Sequence, residues 1–187
     1  MATIREATDA LQQHLGFDPA RSRTISRQLI DNGLLPAGAP GLAQQLSIDD
    51  FMTLLCAIAF DPLLRGAPDA ARCADALTPG GACLGVDLTM DGETAEYWPT
   101  TIPQSARQAL DIIAEMALGD RDSQRDVAAM RLEFVANWPE IAIYDGDRIR
   151  RFRERGSNAA HWGERGHRRS TTINGSALVD AVRSLFK

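Results

Sequence analysis

The run Ile48 to Ala59, IDDFMTLLCAIA, constrains this chain more than any other stretch. Ile48, Phe51, Met52, Leu54, Leu55 and Ile58 leave little of a helical surface polar. Ser47, followed by Asp49 and Asp50, reads as a helix start, with a hydroxyl to cap free amides and acidic groups at the positive end of the dipole. A helix that is apolar over most of its girth must be enclosed by other elements, so this one is expected at the centre of the core. The longest apolar candidate, Phe51 to Phe60, has a length that suits a buried helix and is too short to span a membrane.

Ahead of it, Ile4 to Leu35 reads as two short helices joined by a tight turn. Ile4, Ala7, Leu11 and Leu15 share one helical face, and Gly16 stops that helix. Asp18 can cap the next helix, Pro19 fits its first turn, Ile25 and Leu29 face inward, and Gly33 ends it. Arg21, Arg23 and Arg27 are left for the outside. Two helices with a glycine-containing connection and a basic second helix are what a helix-turn-helix needs to enter the major groove. The helix at Phe51 is the natural third member. An ordinary αα-hairpin with solvated arginines accounts for the same pattern.

Pro36 to Gly41, PAGAPG, reads as a linker or small wing, Asp61-Pro62 ends the central helix, and Pro68-Asp69 begins another that runs to about Leu77. At Thr78 to Ala82 the style changes. Cys83 to Met90 alternates like a strand before the turn Asp91-Gly92. Thr100 or Thr101 is the expected cap of a helix from near Pro103 to Gly119, and the charged segment Gly119 to Asp126 is expected as a loop. Met130, Leu132 and Phe134 alternate with Arg131, Glu133 and Val135, and Ile141 with Ile143 repeats that period. Asp145-Gly146 then supplies a hairpin turn, so Arg148 to Arg155 is expected as a third strand and His167 to Ile173 as a fourth, with Ser176 to Phe186 closing the chain as a helix. The expected fold class is α+β: a helical, helix-turn-helix-like domain over residues 1–78, then a small antiparallel sheet with flanking helices over 79–187 that carries an arginine-rich β-hairpin.

The formal net charge of -5 hides an asymmetry. Arg148, Arg150, Arg151, Arg153, Arg155, Arg165, Arg168 and Arg169 stand against only Glu154 and Glu164 between Arg148 and Arg169, which leaves the rest of the chain acidic. The single lysine is Lys187, a bias that a GC-rich genome would also produce, although arginine suits bidentate phosphate and guanine contacts. Folded as a ribbon around the tip Gly156 to Gly166, the two strands would gather guanidinium groups into one basic arm able to lie along phosphates, with His161 and Trp162 at its tip. A solvated loop and a surface that grips an acidic protein are the competing readings.

No catalytic, cofactor-binding or metal-binding residue is assigned. His14 reads as a surface or capping residue, and His161 and His167 lie in a glycine-rich loop without a nearby cysteine. Asp49, Asp50, Asp120 and Asp122 read as cap and loop charges, and no phosphate-loop or nucleophile-elbow motif is present. Cys56, Cys73 and Cys83 are odd in number and widely spaced, which points to core side chains in a reducing, cytoplasmic setting. Trp98 and Trp138, each before a proline, read as hydrophobic plugs at loop ends.

Thr24 to Gly38, TISRQLIDNGLLPAG, followed by Leu46 to Ala59, resembles the front of small phage and prophage proteins that begin with a helix-turn-helix module, and Thr171 to Phe186 is similar to their C-terminal ends. The resemblance implies a mobile-element origin, and within it Arg21, Arg23 and Arg27 match the position of a recognition helix. The expected function is therefore non-enzymatic binding of double-stranded DNA, as a phage transcriptional regulator or a protein of the small-terminase type. The alternative is an inhibitor that binds a host defence complex, of the anti-CRISPR type, whose acidic N-terminal two-thirds could imitate a nucleic-acid backbone. A homodimer would carry two recognition helices to successive major-groove faces, through the helix at Phe51 or the C-terminal helix, unless the monomer core consumes both.

Overall fold

The computed structural model describes residues 2–38, 44–80, 103–157 and 166–187. Cys83 to Met90, Asp91-Gly92, Trp98, the caps at Thr100 and Thr101, and His161, Trp162 and Arg165 lie outside those residues. The described chain is α+β, with N-terminal helices followed by an antiparallel sheet and its flanking helices.

Helix α1, Ile4–Leu15, opens on a capping box in which Thr3 and Glu6 satisfy each other's backbone amides, and it closes on Gly16 in the left-handed region. Asp18 caps α2, Pro19–Asp31, with Pro19 in its first turn. Helix α3, Ile48–Ala59, starts on the Ser47–Asp50 capping box, and everything from Phe51 to Ala59 is buried. Its all-round apolar character is thus spent on being surrounded. Helix α4, Ala67–Ala76, follows a short 3-10 turn at Leu64–Gly66.

Thr78–Pro79 forms a short strand, β1. Helix α5, Ala106–Leu118, is capped by Ser105 rather than by a threonine further upstream. The charged segment after Gly119, expected as a loop, is instead helix α6, Arg121–Ala129, capped by Asp120. Val127 alone of α6 is fully buried, so it had almost no apolar period to announce it. The strands β2 (Arg131–Val135), β3 (Glu140–Asp145) and β4 (Arg148–Arg153) form a meander, and β5, Ser170–Asn174, leads into α7, Gly175–Phe186.

The sheet order is β1-β4-β3-β2-β5, all antiparallel. The expected pairing of the third strand with the fourth does not occur: β4 pairs with β3 and β1, while β5 pairs with β2 on the far side. Ile173 opposite Leu132 puts an apolar residue of β5 into the face already made by Leu132, Phe134, Ile141 and Ile143. Beside β4 the same strand would have faced a row of arginines.

That apolar face packs on the helices, with Phe134 edge-on to Phe60 at 5.5 Å. One hydrophobic cluster runs from Ala7 and Leu11 through α3 to the sheet and on to Leu178 and Val182, across the expected boundary at residue 78. Among the described residues no helix is long and apolar enough to cross a membrane.

Candidate nucleic-acid interface

The opposite face of the sheet is largely polar. Alternation sets Arg151 and Arg153 of β4, Glu140 and Tyr144 of β3, Arg131 and Glu133 of β2, and Ser170 and Thr172 of β5 on it together. Glu140 is the anchor, only 3% exposed. Arg151 Nη1 and Arg153 Nε reach its two oxygens at 2.8 and 2.9 Å, and Arg168 Nη2 adds a third contact at 3.2 Å. Burial would raise the Glu140 pKa, but the bonds from Arg153 and Arg151 and the field of Arg168 overcome it and hold the carboxyl below its ordinary range.

Glu133 is the second anchor. It accepts from the hydroxyls of Ser170 and Tyr144, each at 2.7 Å, and pairs with Arg168 at 3.0 Å. Against the cost of burial, those bonds lower its pKa to about 2. Arg168 also lies over the ring of Trp138, 5.6 Å from its centroid, and Arg131 covers Tyr144 at 4.2 Å. Trp138 is buried as a plug, as its place before Pro139 suggested.

Arg151 and Arg153 of β4 and Arg168 of the segment before β5 are therefore gathered together, but around carboxylates of the same face rather than in a free ribbon. Charge counting over Cys-poor, arginine-rich segments missed this because Glu133 and Glu140 lie outside the stretch in which the arginines cluster. Arg155 is exposed in the turn after β4. Arg148 and Arg150 alternate onto the side of Phe152, where Arg148 is exposed and Arg150 half-buried.

The helical arginines divide. Arg21 Nη2 pairs with Asp61 at 2.8 Å and donates to the carbonyl of Pro62 at 2.6 Å, so it is tied down at the end of α3. Arg169 reaches the same Asp61, donating to its carbonyl at 3.1 Å and lying 3.8 Å from its carboxylate. Asp61 itself holds φ at 45°, a left-handed backbone rare for a residue with a side chain, and this turns its carboxylate between the two guanidiniums. The basic end of α2 and the approach to β5 thus adjoin at one aspartate.

Arg23 and Arg27 remain exposed on the outer side of α2, while Ile25 and Leu29 are buried beneath. Arg23 lies 3.6 Å from Asp9 of α1, and Ile4 and Arg5 near the start of α1 share a groove with Arg27 and Ile30 near the end of α2.

A second polar cluster joins α3, α4 and α5. Arg107 donates to the hydroxyl of Thr53 and lies 3.8 Å from Asp75, and burial with the nearby Asp49, Asp75 and Glu115 raises the Asp111 pKa to about 6. Burial pushes the thiols of Cys56 and Cys73 up to about 12, which leaves them protonated and unreactive at neutral pH. Among the described residues no group of three or more histidine, cysteine, aspartate or glutamate side chains is arranged to hold a metal ion. No protein family, curated protein or solved structure matches the chain.

Proposed function

We propose that the protein binds double-stranded DNA without acting on it chemically, as a phage-type regulator or packaging component, and that it does so through α2 and the segment leading into β5. The observation that carries this reading is the shared partner of Arg21 and Arg169. With Asp61 between them, the start of α2 and the exposed His167 and Arg169 adjoin, while Arg23 and Arg27 stand exposed further along α2 on the side towards α1. Arg23 and Arg27 contact phosphates flanking a groove, and the paired arginines of the sheet face contribute a weaker, partly neutralised field.

The test is duplex binding by fluorescence anisotropy across a salt series. Phosphate contacts predict a logarithmic slope of about -0.9 for each phosphate neutralised. The double variant Arg23→Ala/Arg27→Ala is expected to weaken binding at least about tenfold and to flatten the slope by roughly two contacts. A salt-independent affinity, or one unchanged in the double variant, overturns the proposal.

One observation favours a second reading, an inhibitor that binds a protein of a host defence complex. Arg151, Arg153 and Arg168 are already ion-paired with Glu133 and Glu140, an arrangement that suits a rigid, mixed-charge protein contact better than a phosphate track. A stoichiometric complex with a host protein, lost in Arg131→Glu and formed without any DNA shift, would establish it over the first.

A further inference from the structure

The groove between α1 and α2 has a chemistry that neither sequence pattern anticipated. It holds about 400 Å³, within the range of roughly 300–1,000 Å³ typical of small-ligand sites. Ile4 and Ile30 give it apolar walls, and Arg5, Arg23, Arg27 and Gln44 give it polar ones. All four of those polar side chains carry N–H donors.

The donors outnumber their acceptors. Arg27 makes no hydrogen bond or ion pair among the described residues, and the side-chain nitrogen of Gln44 is buried without a partner. Arg5 and Arg23 share a single carboxylate, Asp9, at the long distances of 3.8 and 3.6 Å. Ser26, also in the wall, spends its hydroxyl proton on the carbonyl of Arg23 at 2.9 Å and has only lone pairs left to offer. Three guanidinium charges against one carboxylate leave a deficit of two negative charges. A buried amide without an acceptor is destabilising, and a ligand oxygen would supply the missing partner.

We propose that this groove is a phosphate-binding site that takes a phosphomonoester, its dianionic group held by Arg5, Arg27 and the Gln44 amide and its organic body lying against Ile4 and Ile30. A carboxylate would satisfy only half of the charge deficit. The apolar walls and the volume beyond a bare phosphate ask for a body of about nucleoside size. The site shares Arg23 and Arg27 with the proposed duplex contact, so it deepens that reading, yet Arg5 and Gln44 belong to the groove alone. The phosphomonoester has two sources, the 5′ end of a nucleic-acid strand or a free nucleotide.

The experiment is a titration of the full chain, followed by side-chain N–H resonances of arginine and glutamine, with inorganic phosphate, a nucleoside 5′-monophosphate, and a short oligonucleotide with and without its 5′-phosphate. Saturable shifts at Arg5, Arg27 and Gln44 are expected with inorganic phosphate, and about tenfold tighter binding with the nucleoside monophosphate. Preference for the phosphorylated oligonucleotide over its hydroxyl twin, beyond the free monophosphate, identifies a strand end as the ligand; equal binding of the free monophosphate identifies a small molecule. Arg27→Ala and Arg5→Ala, both at exposed positions, should each weaken binding about tenfold, Gln44→Leu severalfold, and Arg125→Ala, exposed on α6, not at all. Absence of saturable binding of any phosphate probe, or binding that is indifferent to Arg5→Ala and Arg27→Ala, overturns the proposal. Duplex binding that persists in Arg5→Ala while phosphate binding is lost separates the fate of the groove from that of the DNA reading.

Discussion

Glu140 and Asp111 show how burial acts on a carboxylate with and without enough partners. Glu140 has three arginines around it and its pKa falls, whereas Asp111 keeps a buried oxygen without a hydrogen-bond partner and its pKa rises to about 6. Their effects on stability have opposite signs. Glu133 and Glu140, lowered in the folded state, contribute stability that is fully present above about pH 4.5 and is lost as pH falls towards 2. Asp111, raised in the folded state, binds more protons folded than unfolded between about pH 4 and 6, so its share of stability falls as pH rises through that window. Urea unfolding across pH should therefore give a maximum near pH 4–5. Asp111→Asn should remove the decline above it and gain about 1 kcal/mol at pH 7, a figure discounted for partial exposure. Glu140→Ala should cost about 3 kcal/mol at pH 7, because it leaves Arg153 buried beside no carboxylate. A profile flat from pH 4 to 6 in the parent chain would contradict the role given to Asp111.

At the scale of elements, the tightest junction is where β5 turns into α7. Gly175 donates its amide to Met130 at 2.9 Å, and a methyl group placed on it would meet the carbonyl oxygen of Val127 at 1.9 Å. Both obstacles are backbone, so neither can rotate away. Gly175→Ala should push α7 off α6 and cost about 2–3 kcal/mol in chemical denaturation; a change within a few tenths would mean that the junction yields. Nothing local in the sequence marks this glycine, since its constraint comes from the end of α6, an element with one buried apolar residue to betray it. Where capping and period acted together, as in α1, α2, α3 and α7, the elements were legible, and the same holds for the β2–β4 meander with its Asp145-Gly146 turn. Strand order was not, because alternation tells which face a residue occupies and not which neighbour the strand takes. The candidate site was legible in its residue types at Arg23 and Arg27, while Arg5, Gln44 and the carboxylates that hold the sheet arginines required the packing.

Over the whole molecule, the two ends of the chain meet. Helix α1 packs against α7, and Leu11, Phe51, Leu110 and Leu178 belong to one buried cluster that also takes in Leu132 and Phe134 of the sheet. A division at residue 78 would open that cluster along its length and expose α3, which is buried from Phe51 onward. Cooperative unfolding of both halves follows from this continuity, since neither has a core that closes without the other. Leu178→Ala, at a position fully buried on α7, should destabilise the chain by about 2–5 kcal/mol. That loss should appear equally in the fluorescence of Trp138 beside the sheet, read in a background with Trp98 and Trp162 replaced by phenylalanine, and in a fluorophore attached on α1, with coincident midpoints in both. An α1 signal whose midpoint ignores Leu178→Ala would show instead that residues 2–78 fold on their own, and the α1–α2 pair would then carry its arginines as an independent binding module.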